Sequence, residues 1–254
     1  MPVASAEDFV NTLNDGGKAS LKDDVVLSQA YQAKSNQTLV INGNGKTLSN
    51  NNVGGEAIYN NRVINVQEVD NVSLTLNNVN IDAADKERGI SMYGSHNVTV
   101  DVNKSTVTAE KYALNIANYN TNVKLNVVDS VIQGWAAIQT YSAGSIINVE
   151  NSTLKNVDQF GSLFGWNTFA TIVLETNARG SQVNIKNSRI EVATFPSGDP
   201  QYFASIRCTG AELVFENCTF VKDGVELTDV QDILRNLQYY QNASKLVING
   251  SEII

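Results

Sequence analysis

The chain has 254 residues, 42 % of them hydrophobic, and 18 Lys plus Arg stand against 26 Asp plus Glu for a net charge of −8. That apolar content excludes wholesale disorder, and the acidic balance argues against the clustered cations of a nucleic-acid footprint or a polybasic membrane anchor. No apolar run approaches the roughly 18 residues of a membrane-spanning helix, and two cysteines are too few for a disulfide framework.

In chain order, Ser5-Ala-Glu-Asp8 is an acceptable capping box, and Ala6, Phe9, Val10 and Leu13 follow at helical spacing before Gly16-Gly17. This predicts a helix over 5–15 inside an N-terminal cap, 1–17. The 33 Asn and 47 Val plus Ile then point to turns that tolerate left-handed backbone and to β-branched strands. One pattern recurs: apolar, any, apolar, any, turn residue, small residue, any, apolar. Its eight copies are Ile41–Leu48, Leu74–Ile81, Val100–Val107, Leu125–Ile132, Ile147–Leu154, Val183–Ile190, Leu213–Phe220 and Leu246–Ile253. Between copies sit shorter pairs of a small and an aliphatic residue, read as a further strand: Ala57-Ile58, Gly89-Ile90, Ala113-Leu114, Ala137-Ile138 and Ser205-Ile206.

Alternation of period 2 excludes helical repeats, and uneven spacing excludes propeller blades. The remaining solution is a parallel β-solenoid, with coils stacked about 4.8 Å apart and extra residues bulging out as loops. Coils are expected over 18–225, with Val100, Val102, Leu125, Val127, Ile147, Val149, Val183 and Ile185 pointing inward. Thr228 or Asp229 starts a second short helix carrying Val230, Ile233, Leu234 and Leu237. It lies in a helical insertion, 226–244, before a last strand at 245–254. Both ends of the rod look capped, so 1–254 reads as one domain. The repeat also sets Asn78, Lys104, Asp129, Asn151, Asn187 and Asn217 at one corner. A row of metal or sugar ligands is one reading; a structural ladder along the axis is the favoured one.

The run Ala6 to Gly17, then Leu21-Lys-Asp-Asp-Val-Val-Leu27 and Ile41-Asn-Gly-Asn-Gly-Lys-Thr-Leu48, resembles the opening of β-helix proteins of the pectate-lyase-like superfamily. The later coils fit the same pattern. The resemblance implies an all-β fold, a single-stranded right-handed parallel β-helix. That superfamily includes polysaccharide lyases, glycoside hydrolases, bacterial adhesins and phage tailspikes or other virion proteins, so fold alone does not choose a function.

The catalytic motifs of the hydrolase-like members, Asn-Thr-Asp, Asp-Asp and Gly-His-Gly on successive coils, are not in place. The charged loop Asp82-Ala-Ala-Asp85-Lys-Glu-Arg88 does not fix three carboxylates on one face, as a calcium site needs. His96 reads as a turn histidine and Cys218 as a packing residue in a slot that other coils fill with Ser. A disulfide between Cys208 and Cys218 is an open alternative. No catalytic residue, cofactor or metal is therefore expected. Aromatic residues carry the non-catalytic signal. Phe160, Phe164, Trp166 and Phe169 fall in the longest gap between copies; Tyr93 and Tyr141 hold matching positions, with Tyr119 and Trp135 nearby. On a rigid lateral face such residues bind a partner; otherwise they are core.

The expected function is a non-enzymatic structural or attachment protein. First comes a bacteriophage virion surface protein of decoration, fibre or spike type, since the chain opens on Met1 without a leader-like segment. A bacterial cell-surface carbohydrate-binding adhesin is the alternative, placed outside the cell or on its surface, and a polysaccharide-degrading enzyme is third. The expected partner is a protein of a larger assembly or a second copy, then a neutral glycan, with no nucleic acid and no membrane.

Overall fold

The computed structural model describes residues 2–157, 169–195, 198 and 200–254. Among these the strands form three sheets of eleven, nine and eight strands. The chain visits them in fixed order. The pass Asp70–Asn77, Asn80–Ala83, Arg88–Tyr93 feeds the first, second and third sheets, and the next pass, His96–Asn103, Thr106–Ala109, Tyr112–Ile116, lies on it in parallel register. The protein is thus all-β and solenoid-like, as the repeat predicts.

Strand alternation explains the filling. Val100 stacks on Leu74 and under Leu125, Ile147, Val183 and Leu213, all at most 1 % exposed. All eight residues expected to point inward are buried. One apolar cluster runs the length of the rod, from Val3 to Ile248.

The corner between the first and second sheets is where the turn residues fall. Asn78, Lys104, Asp129, Asn151, Asn187 and Asn217 all have φ near +50°, a region costing an ordinary L-residue about 1–2 kcal/mol and Asn less. Their side chains form only a broken ladder: Asn151 donates to Asp129 at 2.6 Å and Asn217 to Asn187 at 2.8 Å. Backbone bonds tie the corner instead, for example Asn78 N–H to Asn103 O and Asp129 N–H to Glu150 O. Behind it a buried serine column does the rest. The Ser105, Ser130, Ser152 and Ser188 hydroxyls each accept the backbone N–H of the coil before, from Val79, Ser105, Ser130 and Ser152. Cys218 takes the next slot and its thiol donates to Ile185 O. Both cysteines are free and buried, so the disulfide alternative falls.

Both ends are closed. The cap helix spans Ala6–Gly16; the Ser5 side chain accepts from Asp8 N–H and Gly17, at φ +75°, ends it. Phe9 and Leu13 are buried, with Phe9 edge-on to Tyr31. Ahead of it Pro2–Val3 covers the edge of Lys18–Leu21. At the far end Val225–Leu227 and Ser251–Glu252 turn back antiparallel on their neighbours. Antiparallel return strands and short edges deny a second rod an end to pair with.

Three expectations are corrected. Ala57-Ile58 lies in a short helix, Ala57–Asn60, and the strand of that coil is Ile64–Gln67, because the Asn- and Gly-rich loop 50–55 shifts the count. Residues 226–244 are no mere insertion. After the helix Val230–Arg235 they supply Leu237–Gln238, which pairs with Gln201–Ile206 as a strand of the third sheet. The eighth pattern copy is not a coil, since Asn249-Gly250 reverses the chain.

Candidate binding face

The third sheet departs from simple alternation. Tyr112–Ile116, Ala136–Thr140 and Phe169–Leu174 are buried on both faces. The small residues Ala136 and Ala170 make a flat outer floor. On it lies a second apolar cluster of Tyr112, Trp135, Phe169, Val173 and Phe195, with Tyr202 packed against it. Trp135 and Phe169 stack at 4.0 Å. The sequence left both open as binding-face or core residues; both are buried, at 0 % and 1 % exposure, and take the core reading. Phe160, Phe164 and Trp166 lie outside the described residues.

Beside this cluster a polar chain crosses the coils. Asn115 accepts from Ser91 at 3.0 Å and donates to Gln139 at 2.5 Å; Gln139 donates to Glu175 at 2.8 Å, and Glu175 pairs with Arg207 at 2.9 Å. Arg207 and Ser205 extend it to Gln238. Tyr141 joins through Glu175 and Gln139; burial and the Glu175 charge hold its phenol above the usual range. Half-buried and tied inward, Tyr141 belongs to this network. Buried polar groups that satisfy one another fix a single register.

Tyr93 and Tyr141 do share one outward column, as their spacing predicts: Gln67, Tyr93, Ala117, Tyr141, Glu175, Arg207. Ala117 is the small residue between the two tyrosines. Two residues on is Tyr119, 70 % exposed and at φ +66°. For a bulky side chain that backbone is an outlier, and such residues persist only where the surroundings over-determine them. Asn120 does so here. Its buried amide donates to Met92 O and Ala117 O and accepts from Ser95 N–H, and its own N–H goes to Ser142. The clamped turn holds Tyr119 edge-on to Tyr93, with ring centroids 5.6 Å apart at 88°. The sequence hint was local. Three residues separate Ala117 from Thr121, where the preceding coil has two between Tyr93 and His96.

A groove of about 180 Å³ opens beside Tyr93, lined by Arg62, Gln67, Arg88, Ser91 and Ala117. Arg62 and Arg88 sit on adjacent rungs. Arg62 donates to Asn61 and Asn65; Arg88 donates to Asn115 and pairs with Glu87 at 2.8 Å. Burial, and then the Arg88 charge, lower the Arg62 guanidinium to about 10, with Glu87 opposing. It stays cationic at neutral pH. Glu87, beside the groove, is held by Arg88 and Asn61.

A larger groove, about 540 Å³, lies on the first sheet along Asn126, Asn148 and Asn184. Its amides are spent on one another, Asn184 to Asn148 to Asn126 to Asp101. It also lacks an aromatic residue. His96 is exposed, with Nδ1 2.5 Å from Thr121 Oγ1, and among the described residues no three His, Cys, Asp or Glu converge as metal ligands. No protein-family model, curated protein or solved structure matches this chain.

Proposed function

We propose that this protein is a non-enzymatic attachment rod that holds a glycan against the outer face of its third sheet. The observation carrying this is Tyr119: an exposed ring, raised on a strained turn, clamped by buried Asn120 and set edge-on to Tyr93. An aromatic face offered at fixed orientation stacks on a sugar ring with little ordering cost. The neighbouring groove supplies donors for hydroxyls, and its small volume, against roughly 300–1,000 Å³ for sites that engulf a ligand, suits the edge of one ring. None of its lining residues is a carboxylate, whereas glycoside hydrolysis asks for two.

On this reading the coil is right-handed, as connections between parallel strands of one sheet nearly always are. The protein then sits with the non-catalytic members of the pectate-lyase-like superfamily. Closed ends favour contact through the side of the rod, which suits a virion surface first and a cell surface second. The test is retention on a panel of immobilised cell-surface polysaccharides. The wild type is retained by at least one, Tyr119→Ala loses that retention, and no new reducing ends or unsaturated products form. Retention by none, retention that survives Tyr119→Ala, or turnover contradicts the proposal.

A further inference from the structure

Resting on that reading, we infer that the groove between Arg62, Arg88 and Tyr93 is an oxoanion subsite, which selects sugars carrying a carboxylate, sulfate or phosphate over neutral ones. The chain as a whole is acidic, at −8, and like charges steer anions away. Yet Arg62 and Arg88 come from neighbouring coils, whose strands lie about 4.8 Å apart, and line one groove that contains no acid. Stacking like charges in register on a sheet is unfavourable by itself. Glu87 answers Arg88, and the partners of Arg62, Asn61 and Asn65, are neutral amides. Among the described residues the two positive charges at the groove thus share one carboxylate, Glu87.

The hydrogen bonds of the two arginines point the same way. Each guanidinium has five N–H donors in a rigid fork. Arg62 uses Nε and Nη1, and Arg88 uses Nε and Nη1, so Nη2 of both has no partner among the described residues. Two unspent Nη2 groups on adjacent rungs can serve the oxygens of a planar or tetrahedral oxoanion. Ser91 and Gln67 border the same space. Asn65 and Asn115 hold the two forks from behind, and each is bound in turn to Gln32 or Gln139, so the site is preformed.

The ring position follows from Tyr93 and Tyr119. Tyr93 lines the groove and Tyr119 packs edge-on against Tyr93, so a sugar with its anion between the arginines has this aromatic pair beside its ring. Carboxylate, sulfate and phosphate share this chemistry and the probes separate them.

The experiment titrates the full chain, followed by NMR, with glucose, glucuronic acid, glucose 6-sulfate, glucose 6-phosphate and inorganic sulfate. At least one charged sugar is expected to bind about tenfold more tightly than glucose, the scale of one charge-assisted contact. Raising salt from about 0.01 M to about 1 M erases that advantage and leaves glucose unchanged. Arg88→Gln and, separately, Arg62→Gln bring the charged sugar to the level of glucose, and Arg88→Lys restores part of the difference. Salt dependence is read on the wild type, so it stands even if a variant fails to fold. Equal binding of glucose and every charged sugar overturns the anion subsite and leaves the attachment proposal intact. Inorganic sulfate binding as tightly as glucose 6-sulfate, with no effect of Tyr119→Ala, reduces the groove to a bare ion site and overturns the inference. Binding of no sugar at all defeats both.

Discussion

On the outer face of the first sheet, Asn103 donates to Asn77 and Asn77 to Asn42, one coil copying the next. On the outer face of the third, the same direction of travel runs Gln67, Tyr93, Ala117, Tyr141, Glu175, Arg207, with no two neighbours alike. Both faces ride on one solenoid and one core. The first is a consequence of stacking: identical amides bond along the axis and add little that is specific. The third breaks the repeat, and each break has to be supported, by Ala136 and Ala170 under the aromatic cluster and by Asn120 under Tyr119. Where a repeat protein abandons its repeat and spends buried hydrogen bonds on the departure, a binding site is the economical explanation.

The two faces should differ in their response to mutation, but the core beneath them should not. Leu125→Ala under the first sheet and Ile138→Ala under the third each remove a fully buried aliphatic side chain. Each is expected to cost about 2–5 kcal/mol in denaturant unfolding. A loss well under that at either site contradicts the shared packed interior.

A smaller effect separates the faces. Gln139→Leu deprives Asn115 of an acceptor and buried Glu175 of a donor. The expected cost is about 1–3 kcal/mol, because a buried partner is left unsatisfied. Asn148→Leu on the first face breaks bonds of half-buried amides and should stay within about 0.5 kcal/mol. Equal losses erase the asymmetry between the faces. Smaller again is the backbone strain at Tyr119. At φ +66° Tyr119→Gly should be about 1 kcal/mol more stable than Tyr119→Ala in thermal unfolding, because only Ala retains the Cβ clash. The reverse order shows that the turn is not strained.

The cysteines should do nothing in the folded state. Burial raises both thiols, Cys218 to about 11, so little thiolate forms near pH 8. A thiol reagent should label neither until the chain is unfolded and both afterwards; rapid labelling of the native protein shows that the end of the rod is open.

The sequence made the repeating part readable. Period-2 apolar residues located the coils, Ser5 and Gly17 bounded the cap helix, and Asn or Asp marked the left-handed corner. The errors came where local spacing stops reporting on neighbours. Trp135 and Phe169 stayed undecided between exposed face and core, because nothing local announces that Ala136 and Ala170 let them lie under cover. Leu237 read as one more residue of a helical face, although a single-coil strand at the end of a sheet is set by its partner, Ala204. The amide column Asn36, Asn71, Asn97, Asn122 went unread because it falls at a second corner, where Gly144 and Gly180 take over. Arg62 and Arg88 are 26 positions apart and meet only through register. Overall charge concealed them, since it averages over the molecule and a groove does not.

On the proposed reading one lateral face binds and the other does not. The direct measurement compares matched lesions on the two faces for binding to the same immobilised polysaccharide, with unfolding curves as the control for integrity. Tyr119→Ala and Arg88→Gln on the third sheet should each weaken binding by about tenfold or more. Asn148→Ala and Thr99→Ala on the first sheet should leave it within about twofold, the reach of a contact near neutral in energy. Binding that falls with the first-sheet pair and survives the third-sheet pair contradicts the account.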